Sequence, residues 1–390
     1  MKPTVFAVRC GTYDQVGAKT QELLELMGGI QSYITPGETT ALKVNLLSAA
    51  APEKAVTTHP SLVAAVGQEV REAGGDPLII DSPSGAYAHK RSALERVYQA
   101  AEMDRAAAQA RLALNYNTDW QALSFPEGRL IKHFEIMTPI LEAGSVINLP
   151  KLKTHALMTM TGAVKNMFGA IPGRTKPGYH AKLSKVDLFA QMLLDLAECL
   201  APRLTIMDAV IGMEGDGPGN GDPRQVGLLL GSADPLAIDV VMGEIIGLDR
   251  AANPLLVEAE KQGRGPTRLE QVELIGLDPG ELRVPDFRLP STHSPMAGLA
   301  SASWWQNLLY PLFTEALTLQ PVVNGEDCIA CQDCVNICPE GVISTVEDSS
   351  GRPQAWIDDE GCIRCYCCHE TCPEDAIELK KSLLYRVVMG

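Results

Sequence analysis

The sequence predicts an α/β protein, a doubly wound and mostly parallel sheet over residues 1–280, with a small cysteine-bearing α+β unit over 321–380. Two observations predict it. Short apolar runs with strand character alternate with segments of helical period, and a strand, helix, strand order makes neighbouring strands parallel. Nine of the eleven cysteines lie between 328 and 372, behind a stretch rich in proline, so the chain has two unlike parts. At 390 residues it has room for both.

Taken in order, Thr4 to Arg9 reads as a strand and Val16 to Met27 carries apolar residues at helical spacing. Ala41 to Leu47 is a second strand, and its period of two sets Lys43 and Asn45 on one side. Thr57-Thr58-His59-Pro60 supplies a cap and an early proline for a helix that runs to Ala73 and stops at Gly74-Gly75. His59 belongs to that helix start rather than to a ligand set. Pro77 to Asp81 is a third strand. A helix from Ser92 to Ala110 follows, and then mixed segments around Trp120 and Phe125.

The pattern resumes with a strand from Ser145 to Leu149, entering Pro150-Lys151-Leu152-Lys153-Thr154-His155. Val186 to Leu200 is a helix and Leu204 to Ala209 a strand, followed by a glycine-rich loop from Gly212 to Gly221. Gln225 to Leu230 is the next strand. Pro235 to Ile246 is a helix that starts beside Asp234, the expected cap, and contains Asp239, read as a structural acid. Residues 281–320 read as a connector with one helix, and 381–390 as an apolar tail.

No uninterrupted apolar run reaches membrane-spanning length, since Leu299 to Val323 is broken by Gln306, Asn307, Glu315 and Gln320. The net charge is -15, and residues 321–380, with 13 acidic against 3 basic residues, carry most of it. Nucleic acid is therefore not an expected partner, because phosphate binding needs a basic surface. The opening residues do not read as a signal peptide, so the expected location is the cytoplasm.

The cysteines fall into two runs of C-x2-C-x2-C-x3-C-P: Cys328, Cys331, Cys334, Cys338, and Cys362, Cys365, Cys368, Cys372. This is the spacing of a bacterial two-cluster ferredoxin, in which three thiolates of a run hold one [4Fe–4S] cluster and the fourth reaches the other. One cluster is accordingly assigned to Cys328, Cys331, Cys334 and Cys372, the other to Cys362, Cys365, Cys368 and Cys338. A disulfide framework would need an oxidising compartment. Zinc would take its ligands in two separated pairs. Cys367 reads as a buried small residue rather than a spare ligand, His369 as exposed, and Cys10 and Cys199 as solitary thiols.

A second anomaly is a reversal of charge. Between Glu142 and Asp187 no acidic residue occurs, yet Lys151, Lys153, Lys165, Arg174, Lys176, Lys182 and Lys185 do, with His155 and His180. An anionic small molecule is the natural partner of such a segment. The alternative is a solvated face that docks the acidic cysteine unit. Carboxylates Asp81, Asp208 and Glu214 stand at expected strand ends, where an open parallel sheet binds its ligands. Lys43, Asn45, Lys165 and Asn166 are expected to join them, with His155 and His180 as proton-transfer candidates. No Ser-His-Asp arrangement or nucleophile elbow is visible.

Ile147 to His155, followed by Gly162 to Gly169, resembles the central signature of the DUF362 family, and Ser232 to Asp239 resembles its later motif. Members of that family often carry a C-terminal ferredoxin unit, so the resemblance implies the same domain order and cluster type. It implies no substrate. Two functions compete: a redox enzyme whose clusters exchange electrons with a bound anion, and an electron-transfer module whose α/β domain docks a redox partner protein. In the first, fusion keeps donor near acceptor.

Overall fold

The computed structural model describes residues 2–83, 90–292 and 319–380. Its α/β part is built on strands β1 (Thr4–Arg9), β2 (Thr39–Lys43), β3 (Asp76–Ile80), β4 (Ala113–Leu114), β5 (Trp120–Ser124), β6 (His133–Met137) and β7 (Ser145–Asn148). It continues with β8 (Lys151–His155), β9 (Thr159–Met160), β10 (Leu204–Glu214), β11 (Asp222–Ser232) and β12 (Glu273–Ile275). The main sheet runs β12-β1-β11-β10-β7-β2-β3-β4, with β8 attached to β10 and β9 to β8. Pairings are parallel except those of β11 with β1 and β10, and of β9 with β8. β5 and β6 form a separate antiparallel hairpin.

Helices cover both faces because successive strand residues point opposite ways. Val8, Leu42, Ile79, Ile206 and Leu229 pack with α1 (Val16–Leu26), α2 (Pro60–Glu72), α3 (Arg91–Ala100) and α4 (Met103–Ala110). Ala7, Ala41, Ile80, Met207 and Leu230 face the other layer. That layer comprises α5 (Thr138–Leu141), α6 (Gly162–Asn166), α7 (Lys176–Lys182), α8 (Val186–Leu200), α9 (Pro235–Ile246) and α10 (Pro254–Gln262). As expected, α9 is capped by Asp234, whose Oδ1 accepts from the N–H groups of Leu236 and Ala237. The α2 cap is His59 itself, its Nδ1 accepting from Ser61 N–H at 3.2 Å.

Three sequence expectations are corrected. The helix expected over 92–110 is two, because Glu102 takes a left-handed φ of 54° that ends one before the other begins. The loop expected from Gly212 begins later: β10 runs on to Glu214 and folds back as β11, so Asp208 lies inside a strand rather than at its end. Lys151–His155, expected to continue from the strand ending at Leu149, is a strand of its own. Pro150 has no N–H for the ladder and separates it from β7. The connector helix and the apolar tail fall largely or wholly outside the described residues.

Residues 319–380 form a unit with internal symmetry. β13 (Gln320–Val323) pairs with β16 (Ile377–Lys380), and β14 (Ile343–Glu347) with β15 (Pro353–Ile357). Two short helices, α11 (Asp333–Ile337) and α12 (Cys367–Thr371), pack between the cysteine loops. Its core of Ile343, Ala355, Ile377 and cysteine side chains is separate from the two large cores of the α/β part and from its small Ala50–Met213 cluster.

Candidate functional site

Each cysteine run repeats the same backbone. Ala330 and Gln332 flank Cys331 with φ of 53° and 68°, and Arg364 and Tyr366 flank Cys365 with 56° and 61°. Alternation of left- and right-handed residues turns successive N–H groups inward, the conformation that cradles an anionic cluster. All eleven cysteines are free. Cys328, Cys331, Cys334 and Cys372 line one cavity, and Cys338, Cys362, Cys365 and Cys368 line another. Each ring thus takes three thiols from one run and the fourth from the other. Ala355 N–H lies 3.4 Å from Cys328 Sγ and Ala376 N–H 3.2 Å from Cys372 Sγ, so each sulfur accepts a backbone hydrogen bond. The donor set fits two [4Fe–4S] clusters.

A further cavity of about 90 Å³ lies where the cysteine unit meets the α/β part. Lys153, Lys165, Lys176, Asn45, Asp81 and His180 line it from one side, Cys367, Glu370 and Thr371 from the other. β8 delivers Lys153, which is 1% exposed and donates to the carbonyls of Val56 at 2.8 Å and Pro218 at 3.2 Å. α6 delivers Lys165. Asp239 holds α6 in place, accepting from the N–H groups of Ala163 and Val164, which is the structural part expected of it. Gly162 permits this at φ 62°, where an added Cβ would stand 2.2 Å from Asp239 Oδ1. A chain of amides anchors the same helix. Asn45 donates to Asn166 and Asn166 to Asn148, both at 2.8 Å, and Asn148 to Ala163 O at 3.0 Å.

The charge balance at this cavity is positive. Lys43 pairs with Asp81 at 3.0 Å behind the wall. Lys153, Lys165 and Lys176 then face a single further carboxylate, Glu370. Burial lowers the pKa of Lys153 to about 7, with Lys165 adding to it. Burial also lowers Lys176 to about 7, against the pull of Asp81. Lys165 moves down for the same first reason, opposed by Glu370. Glu370 itself is raised by burial. Asn45 Oδ1, Thr161 Oγ1, His180 Nδ1 and Glu370 Oε1 are buried without a hydrogen-bond partner among the described residues. Uncompensated lysines beside unpaired polar atoms suit a polar anion, which would satisfy both.

The structure gathers Asn45, Asp81, Lys153, Lys165, Asn166 and His180 at the cavity, and Lys43 just behind it. It does not gather the rest. Lys151 is consumed by Asp208 at 2.9 Å and Tyr13 Oη at 2.8 Å, beneath the Tyr13–His59 stack. Glu214 binds Arg288 at 2.9 Å at the far end of β10. His155 sits behind the wall, its Nδ1 accepting from Leu157 N–H and its Nε2 3.3 Å from Glu370 Oε1 but not aligned for a hydrogen bond. Burial keeps both histidines neutral, lowering His180 to about 3. His369 is corrected from exposed to buried, with Nδ1 2.6 Å from Ile377 O and Nε2 3.3 Å from Asp216 O. Cys367 is buried, as expected. Sequence reasoning left out Lys176, although it stood in the acid-free interval. It also left out Glu370, which only the fold carries there.

These features define the class: an α/β protein fused to a two-cluster iron–sulfur unit, with a cationic cavity at the junction. Residues 327–376 match the 4Fe-4S dicluster domain, and the chain carries two [4Fe–4S] clusters. Residues 40–244 match the family described as Domain of unknown function (DUF362), and the chain belongs to that family. It is 36% identical over 305 residues to the Thylakoid-associated protein sll1697 of Synechocystis sp. (strain ATCC 27184 / PCC 6803 / Kazusa), covering 76% of this chain and 90% of that protein. A lactate racemase apoprotein from Thermoanaerobacterium thermosaccharolyticum aligns at 9% identity with a TM-score of 0.40, over 64% of this chain and 58% of that one. Among the described residues no helix is long and apolar enough to cross a membrane.

Proposed function

We propose that the chain is an electron-transfer protein whose two-cluster unit exchanges electrons with an anionic small molecule or cofactor held in the junction cavity. When bound, the clusters supply one-electron transfer at low potential. Cys328, Cys331, Cys334 and Cys372 hold one, and Cys362, Cys365, Cys368 and Cys338 the other. Lys153, Lys165 and Lys176 bind the anion. Asn45, Thr161 and neutral His180 orient its polar atoms, and Lys43 keeps Asp81 from repelling it. The observation that carries this reading is that one cavity has a wall of lysines from the α/β part and a wall from α12, which carries the cluster ligand Cys368 and runs up to Cys372. Low-molecular-weight compounds released from anaerobically purified protein, identified by mass spectrometry, should include an anion that is absent from Lys153→Met and Lys165→Met protein. Recovery of the same compounds from all three would defeat the reading.

The second reading, docking of a redox partner protein, is favoured at a different place. Ile329 is 61% exposed beside Cys331, so the first cysteine loop faces outward. A partner protein meeting that loop is compatible with an anion in the cavity. We place the protein in a reducing compartment such as the cytoplasm, where clusters persist, and the name of the Synechocystis relative adds association with thylakoids as a candidate location.

A further inference from the structure

We propose that the cluster held by Cys362, Cys365, Cys368 and Cys338 is the one that the junction cavity senses, so that an anion in the cavity and an electron on that cluster disfavour each other. The inference rests on the reading of the cavity as an anion site. Cys367 lines both the second cysteine ring and the lysine cavity, so a single side chain separates the two spaces. Ile337, the neighbour of Cys338, and Thr371, the neighbour of the first ring's Cys372, also line the cavity, so the distinction rests on Cys367. The first ring shares no lining residue with it.

Physical consequences follow from that shared wall. Reduction adds one electron to the cluster from a one-electron donor oxidised in the same step, and no bond forms or breaks. The added negative charge stands across one side chain from the anion, in an interior where charges are weakly screened. Both draw on the same cations. Lys165, on the cavity wall, has no hydrogen bond or ion pair among the described residues, so it can serve whichever negative charge is present. Coupling between two sites is reciprocal: if reduction weakens the anion, the anion must make the cluster harder to reduce by the same factor. The oxidised protein then captures an anion that the reduced protein releases.

The test uses the full chain with both clusters under anaerobic conditions, with inorganic phosphate as probe and succinate as a second arm to separate phosphate from dicarboxylate recognition. Equilibrium dialysis should show about tenfold or more weaker phosphate binding to dithionite-reduced than to oxidised protein. In redox titrations followed by electron paramagnetic resonance, saturating phosphate should lower one midpoint, by about 59 mV for a tenfold effect, and leave the other in place. Cys331→Ser alters the signal of the first cluster and so identifies the unmoved midpoint. If that variant loses its first cluster, the midpoint that remains belongs to the second and must still fall with saturating phosphate. Equal affinity in both redox states, or movement of the first cluster instead, overturns the proposal while leaving the anion site standing. Absence of phosphate and succinate binding in either state overturns the anion site itself.

Discussion

Lys153 shows how little a residue's charge alone says about its role. Lys151 lies two positions earlier on β8, equally buried, yet Asp208 neutralises it, whereas Lys153 meets only two carbonyl oxygens. Replacing Lys153 or Lys165 by Met should weaken anion binding about tenfold or more, since a desolvated charge-assisted contact contributes about 1.5–3 kcal/mol. Isothermal titration with sulfate checks this, and unchanged affinity would assign both lysines to the scaffold. Sulfate keeps its charge across the neutral range, so its pH profile reports the protein. Lys153 titrates at about 7 without ligand, so sulfate affinity should fall as pH rises from 6 to 8. Stability moves the other way. The unfolded lysine, with a pKa of about 10.4, binds the proton more strongly than the folded one, so folding is favoured as pH rises above about 7. Comparison of wild type with Lys153→Met between pH 7 and 9 should show a shallower slope in the variant, where Lys176, also lowered to about 7, still contributes.

At the scale of elements, the acid-free interval is a set of short pieces held by their neighbours. α6 is too short to be stable alone. It stands because Asp239 caps it and Gly162 lets the chain approach that carboxylate. Gly162→Ala places a side chain in the left-handed region and against Asp239, so it should cost about 1–3 kcal/mol of stability. It should also weaken sulfate binding by displacing Lys165, while the iron content stays intact. Chemical denaturation and iron analysis of one preparation check both parts. The two cysteine loops, with matching left-handed residues, should bring the reconstituted protein to about eight iron and eight sulfide per chain. A stable half-content that survives loss of Cys362, Cys365 and Cys368 would contradict the two rings.

For the whole molecule, separate cores imply separable folding. Among the described residues, none of the α/β core comes from beyond residue 289. A chain ending near residue 292 should therefore remain cooperatively folded, as judged by calorimetry, and should have lost the α12 wall of the cavity. Aggregation under all conditions would show that the junction is needed for folding. The junction itself is held by Asn220, which donates to His369 O at 2.9 Å from the β10–β11 turn. That turn sits where it does because the hairpin is longer than the apolar pattern suggested.

Sequence alone determined the features that rest on local chemistry. Cysteine spacing sets the cluster type because three sulfurs on one tight loop can reach one cube. The period of the apolar residues marked α8 and α9 at their observed bounds, and Asp234 before Pro235 marked the start of α9. It also exposed the acid-free interval, since net charge is a sum over residues. Tertiary structure decided the pairings. Which lysine keeps an uncompensated charge depends on Asp208 and Glu370, 57 residues after Lys151 in one case and on the far domain in the other. Burial of His369 and the wall that Cys367 shares between two cavities are likewise long-range. No local pattern encodes them, because opposing charges and shared walls arise only when distant segments pack.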